Sequence, residues 1–355
     1  MSDFRIDKIT NRVGDAGTQI AGISTFSGTS GMVMPGGPTA YRGGRGRGVL
    51  GSGYNPGNDH TMDFIEIATT GNAVDFGNSE PSNLMQLGAV GSSTRGVLGG
   101  GSSPSKVLYY TFSSAGGVSD FGEQTLGRRG NGTANDSTRG LFAGGAGNTS
   151  PLNAPAYNII DYVTIASTGG ASDFGDMTRS SRQVAGCSSP TRGLFAGGYN
   201  TIPTGLQVGP GTVNNIIDYV TIQSKGDAKD FGDLTVARSH FSGGSNATRG
   251  LFVTGGSYAS PACTNYNIID YVTIATTGNA ADFGDTVQTA IHNTGTACSQ
   301  TRGVFAGGYT SPAGTNIISH ATIATTGNAV DFGDMTSARG VGNDGATSDV
   351  NGGLG

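Results

Sequence analysis

Thr191-Arg192-Gly193-Leu194-Phe195-Ala196-Gly197-Gly198, a variable run, Ile216-Ile217-Asp218-Tyr219-Val220-Thr221-Ile222, Lys225-Gly226-Asp227 and Asp230-Phe231-Gly232-Asp233 form one unit, and the chain writes that unit six times. Its opening Arg recurs at Arg47, Arg95, Arg139, Arg192, Arg249 and Arg302. The Phe near its end recurs at Phe76, Phe121, Phe174, Phe231, Phe283 and Phe332. Neighbouring markers lie 44 to 57 residues apart, the period of a propeller blade rather than of a helical solenoid.

The unit reads as four strands. Gln183-Val184-Ala185-Gly186-Cys187 is a short strand, Ser188-Ser189-Pro190 a turn, and Thr191 to Ala196 a second strand. Gly197-Gly198 ends it, since paired glycines give up side-chain packing and permit positive φ. β-branched and aromatic content makes Ile216 to Ile222 a third strand. Lys225-Gly226-Asp227 is a hairpin turn, and Ala228 to Leu234 the fourth strand. In Ile159 to Ile165 both strand faces carry large apolar groups, as a sheet sandwiched between two others requires. A helix would work against Gly and β-branched propensity by roughly 0.5–1 kcal/mol per residue. The sequence therefore predicts an all-β, six-bladed β-propeller over residues 43–355, with residues 1–42 outside the repeat as a short extended N-terminal arm.

Composition narrows the function classes. Gly is abundant, at 64 of 355 residues, but has no three-residue period, which excludes collagen. The apolar runs recur in phase and can bury a continuous core, which argues against disorder. A net charge of −5 argues against nucleic acid as a partner. Cys187, Cys263 and Cys298 are odd in number and lack metal-ligand spacing; the first and last are expected as small buried residues of the innermost strands. The N-terminus has no apolar h-region and no later stretch is long enough to span a bilayer, so synthesis in a cytoplasm and no membrane insertion are expected.

Ring closure is also legible. Arg339 to Ser348 matches Arg238 to Ala247, the stretch that precedes the marker Arg249, whereas no equivalent strand precedes Arg47. The segment 339–348 is expected to supply the innermost strand of blade one and hide two strand edges.

The repeat resembles the kelch family. Kelch units run an Arg before the innermost strand, an apolar strand ending in Gly-Gly, a Tyr-Asp near the end of the third strand and an aromatic opening the fourth. Arg238, Gly255-Gly256, Asp270-Tyr271 and Phe283 follow that order, with Tyr-Asp reversed and Phe in place of Trp. The likeness covers about residues 43–348 and speaks to fold more than to function. The arm, with Ile9-Thr10-Asn11-Arg12, Gly17 to Gly31 and Met32-Val33-Met34-Pro35, is similar to the leader of structural proteins of T4-like marine cyanophages, whose virion proteins carry similar kelch-like repeats. This resemblance implies a virion protein, a tail fibre or tail-associated adhesin. It implies docking on other virion proteins through the arm, with Ile20, Ile23, Phe26, Met32 and Met34 as candidate anchors. Trimeric fibres make a homotrimer worth testing. Forty residues with few apolar anchors cannot form a good core alone, which agrees with an arm ordered by docking.

Catalytic readings find little support. Asp-Phe-Gly occurs six times without the loops a kinase needs. Asp173 and Asp176 supply too few oxygens for calcium. Asp161, Asp218 and Asp270 are expected to pair with marker arginines such as Arg192, Arg249 or Arg302. A sialidase would need an Arg cluster, a Tyr nucleophile and an acid, whereas these Arg recur in one phase of the repeat. His60, His240, His292 and His320 lie in different blades at different phases, which does not build a copper site; each is expected on a surface or loop. No catalytic residue, metal site or cofactor is assigned. The expectation is a non-catalytic protein.

Binding is expected where the repeat breaks. The connection between strands two and three is five residues in blade two, Gly101 to Ser105, but runs from Tyr199 to Asn215 in blade four. Blades three and five carry Ala146 to Asn158 and Ser257 to Asn267 there. These connections share one face with the four-to-one connections, and loops on a rigid scaffold carry recognition. Tyr157, Tyr199, Tyr258, Tyr266 and Tyr309 fall among Asn, Ser and Thr on that face, suited to stacking and hydrogen bonding with a host-surface glycan or protein. The alternatives are a capsid or tail decoration protein without a receptor, and a glycan-active enzyme.

Overall fold

The computed structural model describes residues 46–54, 58–79, 86–101, 105–147, 155–200, 212–257, 264–288, 294–310, 312–342 and 344–354, together with the backbone of 25–27 and 31–33. The chain divides into two units, 1–42 and 43–355. In the first, Thr25–Ser27 pairs with Gly31–Val33, and Phe26 stands opposite Met32. Ile20, Ile23 and Met34 lie outside the described residues.

The second unit is a six-bladed β-propeller, six antiparallel sheets of four strands in simple meander order. Blade four shows the pattern: Ala185–Ser188, Arg192–Ala196, Ile216–Thr221 and Lys229–Asp233. Blades two, three, five and six are likewise continuous in sequence. Blade one is not. Its innermost strand, Ala346–Ser348, comes from the far end of the chain and pairs with Arg47–Leu50, Gly48 standing opposite Ser348. The Asp349 carboxylate ties this seam by accepting from Gly46 N at 3.0 Å and Arg47 N at 2.9 Å.

The core lies between blades rather than within one. Leu194, Ile217 and Phe231 of blade four pack with Phe252, Val272 and Ile274 of blade five, and Val304 and Phe332 of blade six pack with Leu50 and Ile65 of blade one. Each fully buried side chain of this size contributes about 1.5–3 kcal/mol. Within every blade the Asp-Phe-Gly aromatic meets the third-strand ring edge-on, from Phe64–Phe76 at 6.3 Å to His320–Phe332 at 5.7 Å. His320 thus occupies the Tyr position of a strand, Ile317–Thr322, and not a loop.

Candidate functional site

The recurring residues are spent on joining blades. Each marker guanidinium donates to a main-chain carbonyl of the next blade: Arg47 to Phe112, Arg95 to Ile165, Arg139 to Ile222, Arg192 to Ile274, Arg249 to Ile323 and Arg302 to Ile67. The last contact closes the circle. Five of these guanidinia also cover the third-strand ring of their own blade, at 4.3 to 4.7 Å.

The turn that follows the third strand grips the preceding blade. Gly226 N donates to Phe174 O at 2.9 Å, and the same bond recurs at all six junctions, including Gly71 to Phe332. The Asp-Phe-Gly glycine faces this turn at positive φ. A Cβ on Gly175 (φ 151°) would stand 2.5 Å from Gly226 O, so only glycine fits.

The third-strand aspartates do not meet the marker arginines. Asp161 pairs with Arg128 at 2.9 Å, Asp218 with Arg179 at 2.9 Å, Asp270 with Arg238 at 2.8 Å and Asp63 with Arg339 at 3.1 Å. Strand parity is the reason. Arg192 stands opposite Thr221, on the same strand face as Tyr219 and the opposite face from Asp218. Asp218 also accepts the Thr178 amide at 3.2 Å and the Thr178 hydroxyl at 2.7 Å. Thr125, Thr235 and Thr336 serve the other three aspartates. Burial lowers the Arg128 and Arg238 pKa, against the pull of their aspartates.

The axis is filled. Asp344, just ahead of the blade-one inner strand, extends its carboxylate to inner-strand amides of three blades: Thr133 N at 2.9 Å, Gly186 N at 2.8 Å and Gly243 N at 2.9 Å. Its carbonyl accepts from Ala89 N of blade two at 2.8 Å. Burial pushes its pKa up to about 7, opposed by these hydrogen bonds. At the other end Gly353 abuts Asn135 O, and Leu354 is buried. Between them lies a cavity of about 40 Å³ lined by Thr133, Ser188, Ser245, Thr296 and the buried free thiols of Cys187 and Cys298. Such a volume suits a few waters, not a sugar. Burial raises both thiol pKa values, Cys298 to about 12, so neither is a thiolate nucleophile at neutral pH.

The two-to-three connections form short hairpins on one face, Gly53–Tyr54 with Asn58–Asp59, Tyr199–Asn200 with Thr212–Val213, Gly256–Ser257 with Thr264–Asn265, and Tyr309–Thr310 with Ala313–Gly314. Bridges from Arg129 to Ala146, Arg182 to Tyr199 and Ser239 to Gly256 tie the four-to-one connections to the same face. Tyr157, Tyr199, Tyr266 and Tyr309 stand there half-buried, while Tyr258 lies outside the described residues. They do not form one cluster. Tyr309 meets Tyr54 edge-on at 5.1 Å, across the seam between blades six and one. Tyr199 stacks on His240 at 5.6 Å and carries the Arg182 guanidinium 4.4 Å from its centroid.

Sequence reasoning missed Arg129 and Arg182, and read His240 only as a surface or loop residue, because they sit outside the shared motif. The signal was there: equivalent positions hold Ser239 in blade five and Gly340 in blade one, so two adjacent blades alone among these carry Arg. Among the described residues no group of three His, Cys, Asp or Glu could hold a metal ion, and no helix is long and apolar enough to cross a membrane.

No family model matches the chain, and no curated protein does. Solved structures do. One is YjhT, with a TM-score of 0.57 at 8% identity, covering 74% of this chain and 87% of that one. At that identity the likeness is one of fold alone, the β-propeller.

Proposed function

We propose that the protein is a non-catalytic virion component, a tail fibre or tail-associated adhesin, that presents its two-to-three loop face to a host surface glycan or protein. The observation that carries this reading is the division of labour in the repeat. Marker Arg and Asp-Phe-Gly are consumed in blade-to-blade contacts, and third-strand Asp in anchoring the four-to-one connections. The variation between blades collects in hairpins on one face. An axial cavity with room for only a few waters further disfavours a central active site. The virion assignment comes from the likeness of the arm and repeat to cyanophage structural proteins. In this reading the arm docks on other virion proteins, the chain is made in the host cytoplasm, and assembly as a homotrimer fits a fibre.

Competition tests the reading. Purified full-length protein, added to host cells before phage, is expected to reduce adsorption saturably. Adsorption unchanged at saturating protein would contradict the adhesin and favour decoration of capsid or tail.

A further inference from the structure

Arg129 and Arg182 occupy equivalent places in blades three and four, each just ahead of the residue that turns into the innermost strand. Those turning residues, Gly130 and Gln183, have φ of 72° and 58°. Gln183 N donates to Gly130 O at 2.8 Å, so the residues before them are held side by side. Each Arg backbone is further clamped by a two-way bridge, Arg129 to Ala146 and Arg182 to Tyr199, all four bonds at 3.0 Å.

The two guanidinia repel each other. Arg129 has its pKa lowered by burial first and by Arg182 second, with no carboxylate among the causes. Neither side chain forms an ion pair with a described residue, and Arg182 Nε is buried without a hydrogen-bond partner among them. This contrasts with Arg128, Arg179, Arg238 and Arg339, all of which meet an aspartate. Tyr199 spends its ring on His240 and on Arg182. It therefore holds the guanidinium in place and offers little free surface to a sugar.

Two adjacent, half-buried cations on a protein of net charge −5 lack a carboxylate partner among the described residues. Planar guanidinium forks match the geometry of carboxylate and of sulfate or phosphate oxygens. We propose that Arg129 and Arg182 form an oxyanion site on the loop face that recognises the acidic group of an anionic polysaccharide, with Tyr199 as a positioning residue for Arg182. The inference rests on the adhesin reading and names its ligand chemistry. The acidic group is a uronic-type carboxylate or a sulfate ester, two sources of one charge pattern.

Biolayer interferometry on the full chain tests it with three immobilised polymers: polygalacturonate for carboxylate, dextran sulfate for sulfate ester, and neutral dextran. The wild type is expected to bind at least one acidic polymer and not neutral dextran. Arg129→Ala with Arg182→Ala is expected to weaken that binding by tenfold or more without lowering the melting temperature. Lys225→Ala with Lys229→Ala removes equal charge near the opposite face and is expected to bind as wild type does. Equal binding by the Arg double variant, or equal loss in the Lys control, would overturn the site, as would binding of neutral dextran alone. Host-cell attachment separates the two proposals. Undiminished attachment of the Arg double variant would sink the oxyanion site and leave the adhesin. Retained Arg-dependent polymer binding without cell attachment would do the reverse.

Discussion

The Asp344 carboxylate sits 2.8 Å from the Gly186 amide on the propeller axis, linking the closing segment of the chain to blade four. Innermost strands present unpaired N–H groups to the axis, and a single carboxylate satisfies those of blades three, four and five. Neighbouring inner strands approach closely here: a Cβ on Gly186 would stand 2.1 Å from Thr133 O.

This carboxylate makes stability depend on pH in an unusual direction. Its folded pKa, about 7, lies above the ordinary carboxylate value, so the folded state holds the proton more tightly. Stability contributed by the group is full below about pH 4 and is lost as pH rises through 7. Asp344→Asn removes the effect. The wild-type advantage over this variant, from urea unfolding, is expected to be largest near pH 4 and smallest above pH 7. An advantage that grows with pH would mean the amide donors outweigh burial.

Arg192 bonds the Ile274 carbonyl at 2.8 Å and covers Tyr219 at 4.5 Å. Arg192→Ala is expected to cost about 2 kcal/mol, from a charge-assisted hydrogen bond and a ring contact. Chemical denaturation reads the loss, and polymer binding on the loop face should not move. Loss of binding at unchanged stability would place this Arg in the site rather than in the ring.

The Arg238–Asp270 pair is fully buried on both sides. Asp270→Asn alone leaves an uncompensated guanidinium and is expected to cost about 3–5 kcal/mol. Adding Arg238→Met should recover part of that loss. Blade six already lives without an ion pair here: Ser319 donates to Gln288 Oε1 at 3.1 Å. A double variant no more stable than the single one would show that the charge is not what costs.

Removing residues 336–355 takes away the inner strand of blade one, Asp344 and Asp349 together. The melting temperature is expected to fall steeply, and blade one should lose hydrogen-exchange protection first. An unchanged melting temperature would refute closure by the C-terminal segment.

Much of the fold could be read from the chain because every blade solves the same packing problem with the same residues. Phe231, Gly232 and Arg192 recur since each blade must cover its neighbour. The partners of Asp218 were misread because strand parity, which puts Arg192 beside Tyr219, becomes decisive only once the pairing register is fixed. Asp344 was hidden for the opposite reason. It occurs once, and a repeat draws attention to what recurs. Arg129 and Arg182 lie between those cases, two deviations in the same phase, visible only when the four-to-one connections are aligned.

The most direct measurement is immunogold electron microscopy of intact phage particles with antibody against residues 43–355. The adhesin account predicts gold at the distal end of the tail. Gold over the capsid, or particles without gold, would contradict it.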